Sequence, residues 1–335
     1  MKIGILGAGT WGIALAALLA NNNHDVVVWS ALPSEIDELQ STSRHKNLPG
    51  AVLPENINYT KDIKDAADSE LILFVVPSSF IRSTTKTIAP YIKGGAIIAS
   101  AAKGIESGTL MTMTDVIDDE LKAQHVTADY TLAALSGPTH AEEVAMGIPT
   151  SIVAACEDEE ISMRIADAFS NSCMRAYTNT DVLGVEISGA MKNIIALAAG
   201  INNGMGLGDN SKAMLMTRGI AEITRLGLAM GCKRRTFMGL AGIGDLIVTC
   251  TSRHSRNNRC GELIGMGKSY EEASREIGMV VEGYHALVAA MELSQKYNVE
   301  LPITEAVYKI IKEGLSPKEA MISLMVRDLK SELED

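Results

Sequence analysis

The chain has 335 residues, of which 47% are hydrophobic and 21% charged, a composition typical of a globular protein with room for two domains. The formal net charge of −11 and an aromatic content of 4% argue against nucleic-acid binding, which favours basic surfaces and aromatic stacking platforms. Five cysteines without a C-x-x-C pair indicate reduced thiols in a cytoplasmic protein, and the six histidines form no cluster that predicts a metal. No apolar run reaches the roughly 18 residues expected of a membrane span.

The first element is a predicted strand at residues 3–6 that leads directly into a glycine-rich turn, Gly7-Ala8-Gly9-Thr10-Trp11-Gly12. This is the sequence G-x-G-x-x-G, and a helical pattern follows at residues 13–20, as a dinucleotide-binding motif requires. Gly7 permits the tight turn, Gly9 lets the backbone approach a pyrophosphate, and Gly12 allows close packing of helix and strand. The helix N-terminus then offers N–H groups to the phosphates.

The second predicted strand, at residues 26–29, bears on the choice between NAD and NADP. Folds that prefer NAD usually place an acid at the end of this strand to hold the ribose 2′-hydroxyl. Here the strand is followed by Ser30 and Ala31, and no acid occurs before Glu35. No charge at the strand end repels a 2′-phosphate, and no arginine immediately holds one. The sequence therefore predicts NADP or NAD as cofactor, with NADPH slightly favoured.

The remaining patterns divide the chain in two. Further strands are predicted at 70–76, 96–101, 131–135 and 151–156, and residues 32–63 are polar and irregular with one short helical pattern at 34–39. Their alternation with helical patterns predicts a Rossmann-like, mostly parallel sheet. Beyond Asp181 only helical patterns occur, at 182–201, 211–231, 282–297 and 304–313, and Ser316 with Glu319 resembles a helix N-cap. We therefore expect a dinucleotide-binding domain at 1–182 and an all-helical, substrate-binding domain at 183–335.

Lys192 is the strongest candidate for chemistry. It lies in the segment 182–201, whose helical pattern is apolar on nearly all sides and therefore typical of a buried helix. No carboxylate stands three or four residues away, so one interpretation is a lysine that extends its amine to water. The alternative is a desolvated lysine whose pKa falls below its usual value of about 10.4, which can exchange a proton near neutral pH. The small neighbours favour this second interpretation.

Two further segments carry candidate ligands for a substrate. Asp245 ends a glycine-rich stretch and is interpreted either as a cap or as a carboxylate that binds a substrate hydroxyl or orients the lysine. Residues 250–261, CTSRHSRNNRCG, contain three arginines and a histidine without an acid. Arginine, serine and asparagine are good phosphate ligands, so this segment predicts a small-anion site rather than a solvated loop. Lys103, at a strand end, is a cation suited to a carbonyl oxygen or phosphate.

These segments together form a recognisable series. Ten motifs occur in a fixed order over nearly the whole chain: GAGTWG, VVPS, AAKGIE, LSGPTHAEE, GAMKNIIALAAGI, RGIAEITRLG, FMGLAGIGDLIVTCTS, SRNNR, VVEGY and LPITEAVY. The chain resembles the bacterial soluble NAD(P)-dependent glycerol-3-phosphate dehydrogenases. The resemblance implies reversible hydride transfer between NAD(P)H and dihydroxyacetone phosphate, giving sn-glycerol 3-phosphate for phospholipid synthesis.

The resemblance also implies roles for individual residues. Lys192 would donate the proton during reduction and accept it during oxidation. The cofactor would contact Thr10, Trp11, Ala31, Lys103, Ala141, Arg256, Val280 and Glu282, and the substrate would contact Lys103, Gly137, Thr139, Lys192, Asp245, Ser255, Arg256 and Asn257. Thr10 replaces a more usual serine and Thr139-His140 a more usual Ser-Phe, but both changes keep the hydroxyl. Ala31 offers no polar group for a 2′-phosphate.

Two alternatives remain at this point. A β-hydroxyacid dehydrogenase would share the two-domain plan and the helical lysine, but it would need a carboxylate site and not the SRNNR segment. A regulatory protein that senses nucleotides without catalysis would have no use for Lys192. The expected partner is a phosphorylated triose or glycerol, and a second copy of the chain in a homodimer is left open.

Overall fold

The computed structural model describes residues 1–329, 331 and 332, and they fall into two compact units. The first contains Met1–Lys103 and Met111–Val182, and the second contains Gly104–Leu110 and the chain from Leu183 onwards. The break after Val182 coincides with the expected domain boundary. The segment Gly104–Leu110, which we expected in the first domain, groups with the helical unit because Ile105 is 3% exposed and belongs to the apolar core of that unit.

The described residues of the first unit form one eight-stranded sheet. Its strands are β1 (Lys2–Leu6), β2 (Asp25–Trp29), β3 (Ile57–Thr60), β4 (Leu71–Phe74), β5 (Ala96–Ser100), β6 (Tyr130–Ser136), β7 (Thr150–Ala155) and β8 (Met174–Asn179). Their spatial order is β3-β2-β1-β4-β5-β6-β7-β8, and only the β6–β7 pair is antiparallel. The predicted Rossmann-like, mostly parallel sheet is confirmed, and its order reverses beside β1, where such folds bind ligands.

Six strands lie within two residues of their predicted bounds, but two strands at the edges of the sheet were not predicted. β3 lies in the stretch 32–63 that the sequence marks as irregular, and β8 lies just before the helical half. Both edge strands leave several side chains partly or fully exposed, so their sequences mix polar and apolar residues. This removes the continuous apolar run that identifies a central strand.

Helices cover both faces of the sheet. Alternate residues of the central strands enter two different apolar clusters, with Leu71 and Leu73 in one and Ile72 and Phe74 in the other. The helices of this unit are α1 (Thr10–Asn21), α2 (Pro33–Thr42), α3 (Ile63–Ala67), α4 (Ile81–Ile88), α5 (Met113–Ala123), α6 (Ala141–Ala145) and α7 (Glu159–Phe169).

The regular elements described in the second unit are helices joined by short loops. Its helices are α8 (Val182–Gly204), α9 (Asp209–Ala229), α10 (Arg234–Phe237), α11 (Asp245–Thr251), α12 (Arg256–Gly265), α13 (Tyr270–Ile277), α14 (Glu282–Tyr297), α15 (Pro302–Glu313) and α16 (Pro317–Met325). α8 is long and apolar enough to cross a membrane by length and composition, but 89% of its most apolar window is buried inside the protein. It is thus the core helix of this unit, as the pattern around Lys192 predicts.

Candidate active site

The glycine-rich turn has the geometry that a dinucleotide requires. Gly7 has φ of +123°, a conformation that L-residues with side chains rarely adopt, and its amide donates a hydrogen bond to Trp29 O at 2.8 Å. A Cβ on Gly12 would lie 1.9 Å from Gly7 O, so helix α1 could not start so close to β1 with any larger residue. Among the described residues, no heavy atom lies within 4 Å of a Cβ placed on Gly9. This open backbone fits a pyrophosphate at the N-terminus of α1.

Three predicted substrate ligands of the first unit meet beyond strands β5 and β6. Lys103 Nζ donates to Gly137 O at 3.2 Å, and Thr139 Oγ1 donates to the same carbonyl at 3.2 Å. Gly137 has φ of +143°, and a Cβ there would lie 3.2 Å from backbone atoms of Ile152 and Ser151, so glycine is required. The strand-end segments therefore bring a cation and a hydroxyl together around one turn.

The predicted catalytic lysine forms a buried cluster in the second unit. Lys192, 5% exposed, lies in the middle of α8, and its Nζ donates a hydrogen bond to Asp245 Oδ1 and another to Thr249 Oγ1 at 2.7 Å. Thr249 Oγ1 in turn donates to Asp245 O at 2.6 Å, so its lone pair is directed to the ammonium. The side chain does not extend to water, and the interpretation of Asp245 as the group that orients the lysine agrees with this contact.

Asp245 owes its position to an irregular segment. Residues Leu240–Gly244 form a π-helical turn, and Asp245 follows as the first residue of α11 with 1% exposure. Such turns are often found at functional sites. A carboxylate at the start of a helix is also stabilised by the partial positive charge there. The contact gives the buried ammonium of Lys192 a partner of opposite charge, which offsets part of the free energy lost when both groups leave water.

The basic segment becomes the start of helix α12. Ser255 is the N-cap, and its Oγ accepts a hydrogen bond from Asn258 N at 3.2 Å, while Arg256 is exposed at the first helical position. Asn257 is buried: its Nδ2 donates to Asn193 Oδ1 at 3.0 Å and its Oδ1 accepts from Gly283 N at 2.9 Å. The amide of Asn257 thus connects α8, α12 and the start of α14, a linking role that the sequence did not indicate.

Glycines set the distance between this basic segment and the helix that carries Lys192. A Cβ on Gly200 of α8 would lie 2.0 Å from Asn258 O, and one on Gly261 of α12 would lie 2.1 Å from Leu197 O. The two helix backbones are therefore in direct contact, which no larger residue would permit. This contact fixes the N-terminus of α12 relative to α8.

The remaining predicted cofactor ligands lie at the starts of helices or in exposed loops. Ala141 is the first residue of α6 and Glu282 is the first residue of α14, with Val280 two residues earlier. Trp11 packs partly buried against the core beneath the sheet, and Ala31 is exposed just after β2. Thr10, the first residue of α1, accepts a hydrogen bond from Asn47 Nδ2 at 3.1 Å.

Comparison with known proteins decides the family. The N-terminal domain of NAD-dependent glycerol-3-phosphate dehydrogenase matches residues 2–162, and the C-terminal domain of the same enzyme matches residues 181–322. The chain belongs to the NAD-dependent glycerol-3-phosphate dehydrogenase family. The resemblance recognised in the sequence motifs is thereby confirmed.

Individual members of the glycerol-3-phosphate dehydrogenase family match the chain over its full length. The chain is 56% identical over 333 residues to glycerol-3-phosphate dehydrogenase [NAD(P)+] 2 of Lactobacillus delbrueckii subsp. bulgaricus, with 99% of each chain covered. It is 48% identical over 333 residues to the Agathobacter rectalis enzyme, covering 99% of this chain and 97% of the other. The crystal structure of the Coxiella burnetii glycerol-3-phosphate dehydrogenase superposes with a TM-score of 0.91 at 36% identity, covering 97% and 99%.

Thr249 is the functional candidate that sequence reasoning missed. It stands four residues after Asp245 on α11, so the two side chains lie on the same face of the helix. This spacing was visible in the sequence, but only the structure shows that Lys192 Nζ contacts both residues on this face of α11. Asn193, which directly follows the lysine, was missed for the same reason: its partner Asn257 lies 64 residues away.

Proposed function

We propose that the chain catalyses the reversible NAD(P)H-dependent reduction of dihydroxyacetone phosphate to sn-glycerol 3-phosphate, which feeds glycerophospholipid synthesis. The observation that carries the proposal is the buried Lys192–Asp245–Thr249 cluster in a chain of this family. An ammonium held by a carboxylate and a hydroxyl is a positioned acid. It suits a reaction in which a carbonyl oxygen must gain a proton.

The first unit would bind the cofactor through its glycine-rich turn. Gly7, Gly9 and Gly12 shape the backbone for the pyrophosphate, and the N-terminus of α1 supplies N–H donors. Thr10, Trp11, Ala31 and Ala141, with Val280 and Glu282 of the second unit, are the further cofactor contacts that the family motifs imply. Bound NAD(P)H supplies the hydride.

The second unit would bind the phosphate of the substrate. Arg256 is an exposed guanidinium at the start of α12, where the backbone amides also favour an anion. Ser255 and Asn257 flank it, and Lys103, Gly137 and Thr139 are the contacts proposed from the first unit. Ser255 and Asn257 already make hydrogen bonds within the protein, so we infer that they also orient the segment.

Lys192 would move the proton. During reduction its ammonium donates a proton to the carbonyl oxygen of dihydroxyacetone phosphate, and during oxidation the neutral amine removes the proton from the hydroxyl. Asp245 and Thr249 keep Nζ in one place, so little reorientation is needed in the transition state. A positioned acid of this kind contributes on the order of 10²–10⁴-fold in rate.

We assign the main part of cofactor binding to 1–182 and the main part of substrate binding to 183–335, and the contacts named above from the other unit complete each site. A cytoplasmic location is supported by the free state of all five cysteines, four of them buried. A homodimer is a further proposal, and sedimentation of the purified chain tests it directly.

The decisive experiment is a spectrophotometric assay of the purified chain with NADH and with NADPH. Dihydroxyacetone phosphate should be reduced, whereas β-keto acids that carry a carboxylate instead of a phosphate should not. Faster turnover of a β-hydroxyacid pair would favour the β-hydroxyacid dehydrogenase alternative. Tight NAD(P)H binding with no turnover of any substrate would favour the nucleotide-sensing alternative.

A further inference from the structure

An acid is held at the end of strand β2, although none follows the strand directly in the sequence. Ser30, 6% exposed, comes immediately after β2, and its Oγ donates to Glu35 Oε2 at 2.6 Å. The same Oγ accepts a hydrogen bond from Leu32 N at 3.1 Å, which fixes the turn. Glu35 belongs to the first turn of α2. Ser30 thus anchors the carboxylate of Glu35 beside the last residue of β2.

This location is next to the glycine-rich turn. Gly7 N donates to Trp29 O, so the end of β2 and the start of the turn are hydrogen-bonded neighbours. In dinucleotide-binding folds, the group at the end of this strand meets the ribose of the adenosine half. A carboxylate there accepts hydrogen bonds from the ribose hydroxyls of NAD. It repels the 2′-phosphate that distinguishes NADP.

The neighbouring cations do not cancel this carboxylate. His45 reaches back to the turn and hydrogen-bonds the backbone of Ala8, and it interacts with both Glu35 and Glu38. Burial lowers the pKa of His45 below its usual 6.5, and Lys46 lowers it further, whereas the two acids raise it. Lys46 and Arg44 lie exposed in the same segment, whereas Glu35 is half-buried and hydrogen-bonded by Ser30, so the carboxylate is the charge whose position the fold fixes.

We infer that Glu35, anchored by Ser30, determines the cofactor specificity of this chain and makes it prefer NADH to NADPH. The inference rests on the proposed dehydrogenase function and adds a specificity that the family name, which covers both cofactors, leaves open. The slight preference for NADPH in the sequence rested on the absence of an acid directly after β2. The structure supplies that acid from the next helix.

The test compares kcat/KM for NADH and NADPH with dihydroxyacetone phosphate as substrate. The unmodified chain should favour NADH by ~10-fold or more, and Glu35→Gln should raise kcat/KM for NADPH by ~10-fold with a smaller change for NADH. Ser30→Ala should narrow the preference less, because the carboxylate remains but loses its anchor. High salt should also reduce the preference for NADH, since salt screens the repulsion between Glu35 and the 2′-phosphate.

Asp37→Asn is the matched control. It removes the same charge from the same helix, but its carboxylate pairs with Lys61 at 2.5 Å and is exposed, so the cofactor ratio should not change. The inference is wrong if the unmodified chain uses NADPH equally well or better, or if Glu35→Gln shifts the ratio no more than Asp37→Asn does.

Direct titration separates this inference from the proposed function. Binding of NADH and NADPH, measured by calorimetry without substrate, should show the same ratio of dissociation constants and the same response to Glu35→Gln. If dihydroxyacetone phosphate is not reduced with either cofactor but the binding ratio behaves as stated, the proposed function fails and the role of Glu35 stands. If dihydroxyacetone phosphate is reduced but Glu35→Gln leaves the ratio of dissociation constants unchanged, the proposed function stands and the role of Glu35 fails.

Discussion

The two units of the chain carry their functional groups in different ways. In the first, the candidate cofactor site is made of backbone: Gly7 adopts positive φ, and open space surrounds Gly9. In the second, the candidate catalytic cluster is made of side chains from distant parts of the sequence, since Lys192 and Asp245 are 53 residues apart. Backbone sites are encoded by residues that are neighbours in sequence, whereas the side-chain cluster exists only after the helices have packed.

The same contrast appears in how helices of the second unit are capped. α16 carries its own capping box, in which Ser316 and Glu319 satisfy each other's backbone amides, as the sequence suggested. α15 has no such cap, and its first amides, those of Ile303 and Thr304, donate instead to Glu222 of α9. A local cap was predictable from four residues; the distant one was not.

The largest effect should come from breaking the side-chain cluster at Lys192. Lys192→Ala should reduce kcat by on the order of 10²–10⁴-fold, because the carbonyl oxygen loses its acid. Binding of NADH, measured by calorimetry, should be retained, since the glycine-rich turn is untouched. Thr249→Val, which keeps the ion pair but removes one contact of Nζ, should give a smaller loss of kcat.

Controls guard against a loss that comes from unfolding. Removing Lys192 leaves the carboxylate of Asp245 buried without its partner, which destabilises proteins, so circular dichroism must show a folded chain. Lys309→Ala, at an exposed lysine of α15 paired with Glu305, should leave kcat unchanged. Unchanged turnover in Lys192→Ala would contradict the catalytic assignment.

Sequence reasoning recovered the fold of the first unit more fully than that of the second. The buried central strands and the G-x-G-x-x-G turn give local signals, so six strands and the parallel sheet could be predicted. The edge strands β3 and β8 could not, because their exposed sides blur the apolar run. The helix that carries Lys192 was recognised by its apolar pattern on nearly all sides. Its contact with Asp245 was one of several alternatives, because no pattern in the sequence connects α8 to α11.

A second and smaller effect is expected at Arg256, where the variant tests whether this exposed side chain binds the phosphate of the substrate. Arg256→Ala should raise KM for dihydroxyacetone phosphate by ~10–100-fold, the usual size of a charged hydrogen bond to phosphate. Turnover of dihydroxyacetone, which lacks the phosphate, should change little. Arg259→Ala is the matched control, because this exposed arginine lies on the same helix one turn away. Equal losses with both substrates would exclude the phosphate role.

The last expected effect is on stability and not on catalysis, and it should come from the distant cap at Glu222. This carboxyl is 3% exposed, and burial raises its pKa from 4.5 to about 7, although hydrogen bonds from Ile303 and Thr304 and the charge of Arg225 lower it. The folded chain therefore holds a proton that the unfolded chain has lost. The contribution of this group to stability is fully present below pH 4.5 and is lost as the pH rises towards 7, at up to about 1.4 kcal/mol per pH unit.

Urea unfolding between pH 4.5 and 8 measures this loss. In the unmodified chain the contribution of Glu222 to the free energy of unfolding should decrease as the pH rises. Glu222→Gln should remove this contribution, so the difference in stability between the two proteins should vary with pH. Glu319→Gln is the matched control for a helix cap: hydrogen bonds with Ser316 lower the pKa of Glu319 below 4.5, so its contribution to stability changes chiefly below that pH. The difference between Glu319→Gln and its parent should therefore stay nearly constant from pH 4.5 to 8. A constant difference between Glu222→Gln and its parent would mean that the acid is ionised throughout this range. The distant cap would then be a permanent charge on the N-terminus of α15 and not a group that exchanges a proton.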